Sequence, residues 1–158
     1  MKNVVLYSIK GSEEKQSAKT SSKNEAIRAL AGALAAGGRA SHHPIGKHTF
    51  VSDNGILFIG CETNNKGKLT RPVRKVLKDV AADGAKLVVF FSIAKSGAAF
   101  IIDEGKAILD AVKIPVHETE YRCTRESTSK KIKFPNEEEL KNAKSFAEAV
   151  ASAFRSGE

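Results

Sequence analysis

The sequence has little cysteine, few aromatic residues, no tryptophan and no apolar run long enough to cross a membrane. Its longest apolar stretches, such as residues 86–94, have the length of a strand, whereas a membrane helix needs about 20 apolar residues. The two cysteines, Cys61 and Cys123, show no metal-ligand spacing and are too few for a disulfide framework. Each is expected to be a buried free thiol in a reducing compartment. We therefore predict a cytoplasmic protein with no membrane partner.

Acidic residues are in the minority, since 26 lysines and arginines stand against 18 aspartates and glutamates, a formal net charge of +8. This charge favours anionic ligands and partners but does not indicate a fold. The basic residues are scattered, and residues 129–133 form the one dense run. Aromatic residues make up 6% of the chain and do not alternate with the lysines as they do on surfaces that stack bases. We therefore expect a solvated lysine-rich surface rather than a nucleic-acid site.

Apolar runs alternate with amphipathic segments over the 158 residues, which is enough chain for one domain with a core. Residues 3–9, 55–61 and 85–92 are continuous apolar runs, typical of strands buried on both faces of a parallel sheet. Residues 39–45 and 114–121 predict two weaker strands. Alternation of such strands with helices predicts an α/β domain with helices on both faces of the sheet.

Four helices are predicted between and after these strands. The first follows a polar loop at residues 10–20 and begins at Ser22, which with Glu25 suits a capping box; Gly37 and Gly38 are expected to end it. Residues 47–53 predict a loop or a single helical turn. The other helices are predicted over residues 69–82, with Pro72 in the first turn and Gly84 after the end, over residues 98–112, and after Asn136, which with Glu139 caps the last helix.

Three segments of this pattern resemble the flavodoxin family in its short-chain form. The first is the opening strand at residues 4–8 with its serine-rich loop and the helix start at residues 22–26. The second is the run 56–60, the following loop and helix, and the run 87–92. The third is residues 134–147, which look like the last helix of many small flavodoxins.

This resemblance covers nearly the whole chain and implies a three-layer flavodoxin-like sandwich. Its five-stranded parallel sheet would have the order 2-1-3-4-5, with helices on both faces. The ligand crevice would lie at the switch between the first and third strands, outside the carboxyl ends of the strands.

The resemblance also implies that the loop after the first strand binds the phosphate of flavin mononucleotide, FMN. Hydroxyls and backbone N–H groups ahead of a helix N-terminus suit such a dianion. In this chain the matching positions are Ser8, Lys19, Thr20, Ser21 and Ser22, within a lengthened loop that lacks the family's glycine. A solvated capping loop without a ligand is the alternative interpretation.

The family's second and third ligand loops usually offer aromatic rings to the flavin. The matching loops here, residues 62–66 and 93–97, contain no ring, which removes much of the apolar contribution to flavin binding. Backbone contacts depend on the chain path, so both loops stay candidates. Phe100 is expected to pack in the core. The predicted contacts are Glu62, Thr63, Asn64 and Asn65 from the second loop, and Ser92, Ile93 and Gly97 around the third.

Other reactive residues are weaker candidates for a site. His42 and His43 are adjacent on a predicted strand and point to opposite faces, and His48 has no carboxylate or thiolate at ligand spacing, which argues against a metal site. Cys61 ends the third strand near two lysines, so a reactive thiol and a plain buried thiol are both open. The sequence shows no set of nucleophile and base for hydrolysis and no nucleotide-hydrolase loop.

The pattern predicts a flavodoxin-like protein that binds FMN and transfers electrons, with no catalytic side chain of its own. The alternative is a flavodoxin-like fold that has lost the flavin and serves as a binding or interaction module for an anionic ligand or partner. The family resemblance alone favours the first. A redox partner is implied by that interpretation, but the sequence does not identify it.

Overall fold

The computed structural model describes residues 2–9, 18–46, 54–63, 67–125 and 135–157. Over these residues five strands and four helices alternate along the chain. None of these helices is both long enough and apolar enough to span a membrane. The elements are β1 (Lys2–Tyr7), α1 (Ala18–Gly38), β2 (Ala40–Pro44), β3 (Asn54–Glu62), α2 (Arg71–Asp83), β4 (Leu87–Lys95), α3 (Ile102–Asp110), β5 (Tyr121–Arg125) and α4 (Glu137–Ser156).

The five strands form one parallel sheet in the order β2-β1-β3-β4-β5. Val4 lies opposite Leu57, and Leu57 lies opposite Val88, so the three apolar runs of the sequence are neighbours. All three residues are buried, because helices cover both faces of the sheet. The predicted sheet order, with these central strands parallel and buried, is confirmed.

Alternate side chains of each strand enter two separate cores. On one face α1 and α4 pack around Phe58 and Phe91. On the other face α2 and α3 pack around Ile59 and Phe90. The result is the predicted three-layer sandwich, and it leaves the carboxyl ends of the strands as the edge at which loops meet.

Helix α1 begins earlier than the sequence predicts. It starts at Ala18, so Ser22 lies beyond its first turn and the Ser22 N–H is used within the helix. The predicted capping box of Ser22 and Glu25 is therefore wrong. The predicted loop is also shorter than expected, since residues 18–20 are helical, while residues 10–17 lie outside the described residues.

The end of α1 differs from prediction as well. Gly37 and Gly38 lie inside the helix, and the residue with a left-handed backbone is Arg39, with a φ of 54°. A Cβ at Gly37 would collide with the backbone carbonyl oxygen of Lys144 in α4. A Cβ at Gly38 would lie 3.1 Å from the Phe58 ring. The two glycines therefore permit close packing and do not reverse the chain.

Two later strands differ from prediction at their ends. β4 continues to Lys95, beyond the predicted end at Ser92. The predicted strand over residues 114–121 is replaced by β5, and within the predicted range Val116 makes only an isolated bridge to Val88. The edge of the sheet is therefore displaced towards the carboxyl end of β4.

The helix-end signals were more reliable in the second half of the chain. Asn136 and Glu139 form the predicted capping box of α4, and Gly84 ends α2 with a φ of 77°. The helix predicted over residues 98–112 is shorter, because α3 begins at Ile102. The turn predicted at residues 47–53 and the basic run at residues 129–133 lie outside the described residues.

Candidate functional site

The loops after β1, β3 and β4 all leave the sheet at its carboxyl edge, and the order of the strands reverses between β1 and β3. The Ser8 N–H donates to the Gly60 oxygen at 3.0 Å, and the Thr63 N–H donates to the Ile93 oxygen at 2.9 Å. These bonds, together with the pairing of Glu62 opposite Ile93 in the sheet register, bring Ser8, Glu62 and Thr63 to one edge. Ligands of open parallel sheets bind at this kind of switch point.

Thr63 and Gly97 offer features that a ligand could use. Thr63 is 8% exposed, and its Oγ1 atom is buried without a hydrogen-bond partner among the residues that the structure describes. Buried hydroxyls are normally hydrogen-bonded, so this oxygen has unused capacity. Gly97 is exposed, has a φ of 84°, and would have no atom within 4 Å of an added Cβ. The chain at Gly97 is therefore open to close approach.

Ser92 and Ile93, in contrast, belong to β4 and not to a loop. Both side chains are fully buried. Ser92 Oγ donates to a Glu120 oxygen at 2.5 Å, and Ile93 packs in the core under α1 and α4. The predicted loop boundary at Ile93 is wrong because β4 extends to Lys95. Neither side chain is open to a ligand.

The predicted phosphate-binding run lies at the start of α1. Lys19 and Thr20 are in the first turn, where backbone N–H groups have no partner within a helix, whereas the N–H groups of Ser21 and Ser22 are used by the helix itself. The side chains of residues 18–23 lie outside the described part of the structure, as do Asn64 and Asn65. The first-turn N–H groups of Lys19 and Thr20 are therefore available for the predicted contact, and the predicted contacts of the hydroxyl side chains lie outside the described residues.

Glu120 is a site-edge residue that sequence reasoning missed. Its carboxylate accepts hydrogen bonds from Ser92 Oγ at 2.5 Å and from the Ile102 N–H at 2.9 Å. Burial raises the pKa of Glu120 above its ordinary value, although these hydrogen bonds and the nearby Arg122 act in the opposite direction. The side chain ties the start of α3 to β4. Its sequence signal is an acid inside a segment that predicts a strand.

Cys61 is the neighbour of Ser92 in the sheet register and is fully buried. Burial raises the pKa of its thiol to about 11, despite hydrogen bonding with Thr70. Cys123 is also buried, and burial raises its pKa to about 12. A thiol that stays protonated at neutral pH is a poor nucleophile. Of the two interpretations of Cys61, the structure supports the buried thiol.

Phe100 does not pack in the core, so that prediction is wrong. Its side chain is 50% exposed, and the Arg122 guanidinium carbon lies 4.6 Å from the centroid of its ring. The reason is the late start of α3 at Ile102, which leaves Phe100 in the preceding loop. Arg122 lies on the edge strand β5, so the ring is beside the crevice between β1 and β3 and not in it.

The histidines do not assemble a metal site in the part of the chain that the structure describes. Within it, no group of three histidine, cysteine, aspartate or glutamate side chains could hold a metal ion. His42 and His43 lie on the edge strand β2, and the His42 ring centroid is 6.5 Å from that of Tyr7. His48 lies outside the described residues.

No protein-family model matches the sequence, and no curated protein is significantly similar to it. Solved structures are similar in fold. A flavodiiron core from Synechocystis superposes on 99% of the chain with a TM-score of 0.67 and 16% identity. Rubredoxin oxygen:oxidoreductase from Desulfovibrio gigas superposes on 98% of the chain with a TM-score of 0.63 and 15% identity. The chain spans 37% and 36% of these two structures, little more than a third of their length.

A third similar structure is about the size of this chain. It is a short-chain flavodoxin associated with a non-canonical PDU bacterial microcompartment. The superposition covers 97% of this chain and 99% of the flavodoxin. The TM-score is 0.59 and the identity 13%. Similarity at this level of identity concerns the fold, and function has to be argued from the site.

Proposed function

We propose that this chain, a flavodoxin-like protein in its fold, binds FMN at the carboxyl edge of its sheet and carries electrons. The observation that carries the proposal is the strand order β2-β1-β3-β4-β5, with Ser8, Glu62 and Thr63 gathered at the switch point. The proposal is also supported by the similarity in fold to a flavodiiron core and to a short-chain flavodoxin. When bound, the isoalloxazine would supply the redox chemistry, and the protein would position it.

The residues at the edge fit such a ligand. The buried Thr63 Oγ1, without a partner among the described residues, offers a hydrogen bond, and the open backbone at Gly97 allows a ring to approach closely. The first-turn N–H groups of Lys19 and Thr20 suit a phosphate, because the N-terminus of a helix is electropositive. No described residue in these positions offers an aromatic ring to the flavin, so the phosphate is expected to supply much of the affinity.

The test is a titration of the purified chain with FMN and with riboflavin, which lacks the phosphate, followed by flavin fluorescence. FMN is expected to bind at least about tenfold more tightly, since one charge-assisted hydrogen bond is worth roughly 1.5–3 kcal/mol. Binding of FMN should weaken as salt rises, because an anion is approaching a chain of net charge +8. Tight, salt-insensitive binding of riboflavin would contradict this account of the phosphate.

A second candidate function is a binding module that holds an anion in the same crevice without flavin. The lack of any aromatic residue in the sequence from Glu62 to Lys66 favours it, because the flavin ring then loses one stacking partner. The same titration separates the two functions. Binding of inorganic phosphate without measurable binding of either flavin would support the module and reject the electron carrier.

A further inference from the structure

Phe100 is the one large apolar side chain that is exposed among the residues that the structure describes. It lies in a basic surface, which we call the Phe100 patch. A single exposed aromatic side chain is ordinary on a protein surface, and it is the cations surrounding this ring that indicate a partner. The patch consists of Phe100, Lys95 and Arg122 together with Arg71, Lys75 and Lys78 on α2.

The ring and its loop are held in place by Arg122. The guanidinium lies over the ring, with 4.6 Å between Cζ and the ring centroid. It also donates to the carbonyl oxygens of Ala98 and Lys95, each at 2.6 Å. One side chain thus fixes both ends of the turn that presents Phe100. A contact residue that is ordered in advance costs less entropy on binding.

The start of α2 adjoins this loop. Gly67 packs so closely on the backbone of Ala99 that an added Cβ would collide with it. The Leu69 N–H donates to Glu104 of α3 at 3.0 Å, which joins the starts of the two helices. From there Arg71, Lys75 and Lys78 follow at helical spacing on one face of α2. Lys75 and Lys78 are exposed, so the positive charge extends from the loop along the helix.

Nearby carboxylates offset part of this charge, and Glu120 lies close enough to Arg122 to interact with it electrostatically. Glu120 is bonded to Ser92 Oγ and the Ile102 N–H, and Glu104 accepts the Leu69 N–H and lies 3.6 Å from Arg74. Asp79 and Asp103 are exposed on α2 and α3. Arg74 pairs with Glu104, so of these carboxylates Asp79, Asp103 and Glu120 face the five cations of the patch, which therefore keeps a net positive charge.

We propose that the Phe100 patch is the docking surface for an acidic protein partner, one that sets carboxylates around an apolar contact for the Phe100 ring. Charge complementarity would give orientation and speed of association, and the ring would supply the buried anchor. Lys95 and Arg122 of the patch lie on β4 and β5, roughly 10 Å from the crevice between β1 and β3 at about 4.8 Å per strand. A partner would therefore dock beside the crevice, and its binding does not require flavin.

A protein fits this surface better than a nucleic acid does. Single strands bind along grooves where successive bases stack on several aromatic rings. Within the described ranges, only one exposed ring lies on the patch, and the Arg122 guanidinium already covers one of its faces. Salt-sensitive binding is expected for either ligand, so salt alone does not distinguish them.

The test is an amide-shift titration of the isotope-labelled chain, without added flavin, against two probes. One is a synthetic peptide of aspartates and glutamates around a central leucine, and the other is single-stranded oligouridine. The peptide is expected to shift amides of residues 95–100 and 122. Phe100→Ser should weaken peptide binding about tenfold, as loss of an anchor does. Stronger binding of oligouridine than of the peptide at this surface would overturn the proposal.

A matched pair of charge reversals isolates the local surface from net charge. Lys95→Glu and Lys86→Glu change net charge equally, and both lysines are exposed, but they flank β4 at opposite ends, roughly 30 Å apart. Lys95→Glu should weaken peptide binding several-fold more than Lys86→Glu. Equal effects, or an unchanged Phe100→Ser affinity, would reject the docking surface. Lys95 lies in the candidate flavin loop at residues 93–97, so FMN binding is compared only in the unchanged chain and in Phe100→Ser. An unchanged chain that binds the peptide but no FMN would reject the proposed function and keep the docking surface.

Discussion

Single buried polar side chains have large local effects at the carboxyl edge of this sheet. Cys61, Ser92 and Glu120 are polar side chains in apolar surroundings there, and Ser92 donates a hydrogen bond to Glu120. Their titration behaviour follows from burial, which disfavours a charged form. Two predictions at the residue scale follow from that physical cause.

The first concerns Glu120 and pH. Because burial raises its folded-state pKa above the ordinary 4.5, the fold favours the protonated carboxyl more than the unfolded chain does. The stability that this group contributes is therefore present below about pH 4.5 and is lost as pH rises through the raised pKa. Glu120→Gln, which keeps an acceptor for the Ile102 N–H, should remove this loss. Its unfolding free energy, measured in denaturant from pH 4 to 8, should fall less with rising pH.

The control for Glu120→Gln is Glu118→Gln, the same change two residues away at an exposed position. It is expected to leave the pH profile of the unfolding free energy as it is in the unchanged chain. If the unfolding free energy of Glu120→Gln changes with pH in parallel with that of the unchanged chain, burial of this carboxyl does not govern the pH dependence of stability.

The second residue-scale prediction concerns the thiols. Cys61 and Cys123 are both buried, with pKa values raised by burial to about 11 and about 12. Neither should react at pH 7 with an aromatic disulfide reagent while the chain is folded, and both should react in denaturant. Counting the coloured thiolate released under the two conditions checks this. Rapid reaction of one thiol in the folded chain would revive the reactive interpretation of Cys61.

Helix packing is the feature that governs the element scale. α1 holds Gly32, Gly37 and Gly38, and a glycine inside a helix normally costs roughly 0.5–1 kcal/mol relative to alanine. This chain accepts that cost where α1 approaches α4, since Gly37 leaves no room for a side chain against the Lys144 carbonyl. In the sequence the two glycines suggest a helix end, because glycine is common there. Their packing role is not visible in the sequence, since the partner helix is more than a hundred residues away in the chain.

This arrangement predicts opposite effects for two identical substitutions. Gly37→Ala should destabilise the chain by about 1–3 kcal/mol, because overpacking must move α1 away from α4. Gly32→Ala places its methyl 3.9 Å from the His42 ring, an ordinary contact, and should stabilise by about 0.5–1 kcal/mol through helix propensity. Denaturant unfolding of both variants measures the difference. A destabilised Gly32→Ala together with a neutral Gly37→Ala would contradict this account.

At the scale of the whole molecule, the sequence predicted the switch point of the sheet, while the use of this edge as a ligand site stays a prediction. The switch point was found because it follows from strand order, and Ser8, Glu62, Thr63 and Gly97 lie at the carboxyl edge as the sequence predicted. Ser92 and Ile93 do not lie in a loop, since neighbouring strands lengthen β4 through shared hydrogen bonds. Glu120 and Arg122 were missed because their partners lie far away in the chain.

The sequence by itself determined the layer order, the central strands and the cap of α4. Apolar runs bury strands on both faces, and Asn136 with Glu139 is a local signal that needs no other segment. Tertiary structure alone decided where α1 begins, what its glycines do, and that Phe100 stays at the surface under Arg122. Those outcomes depend on contacts between segments distant in the chain, and periodicity and spacing carry no information about such contacts.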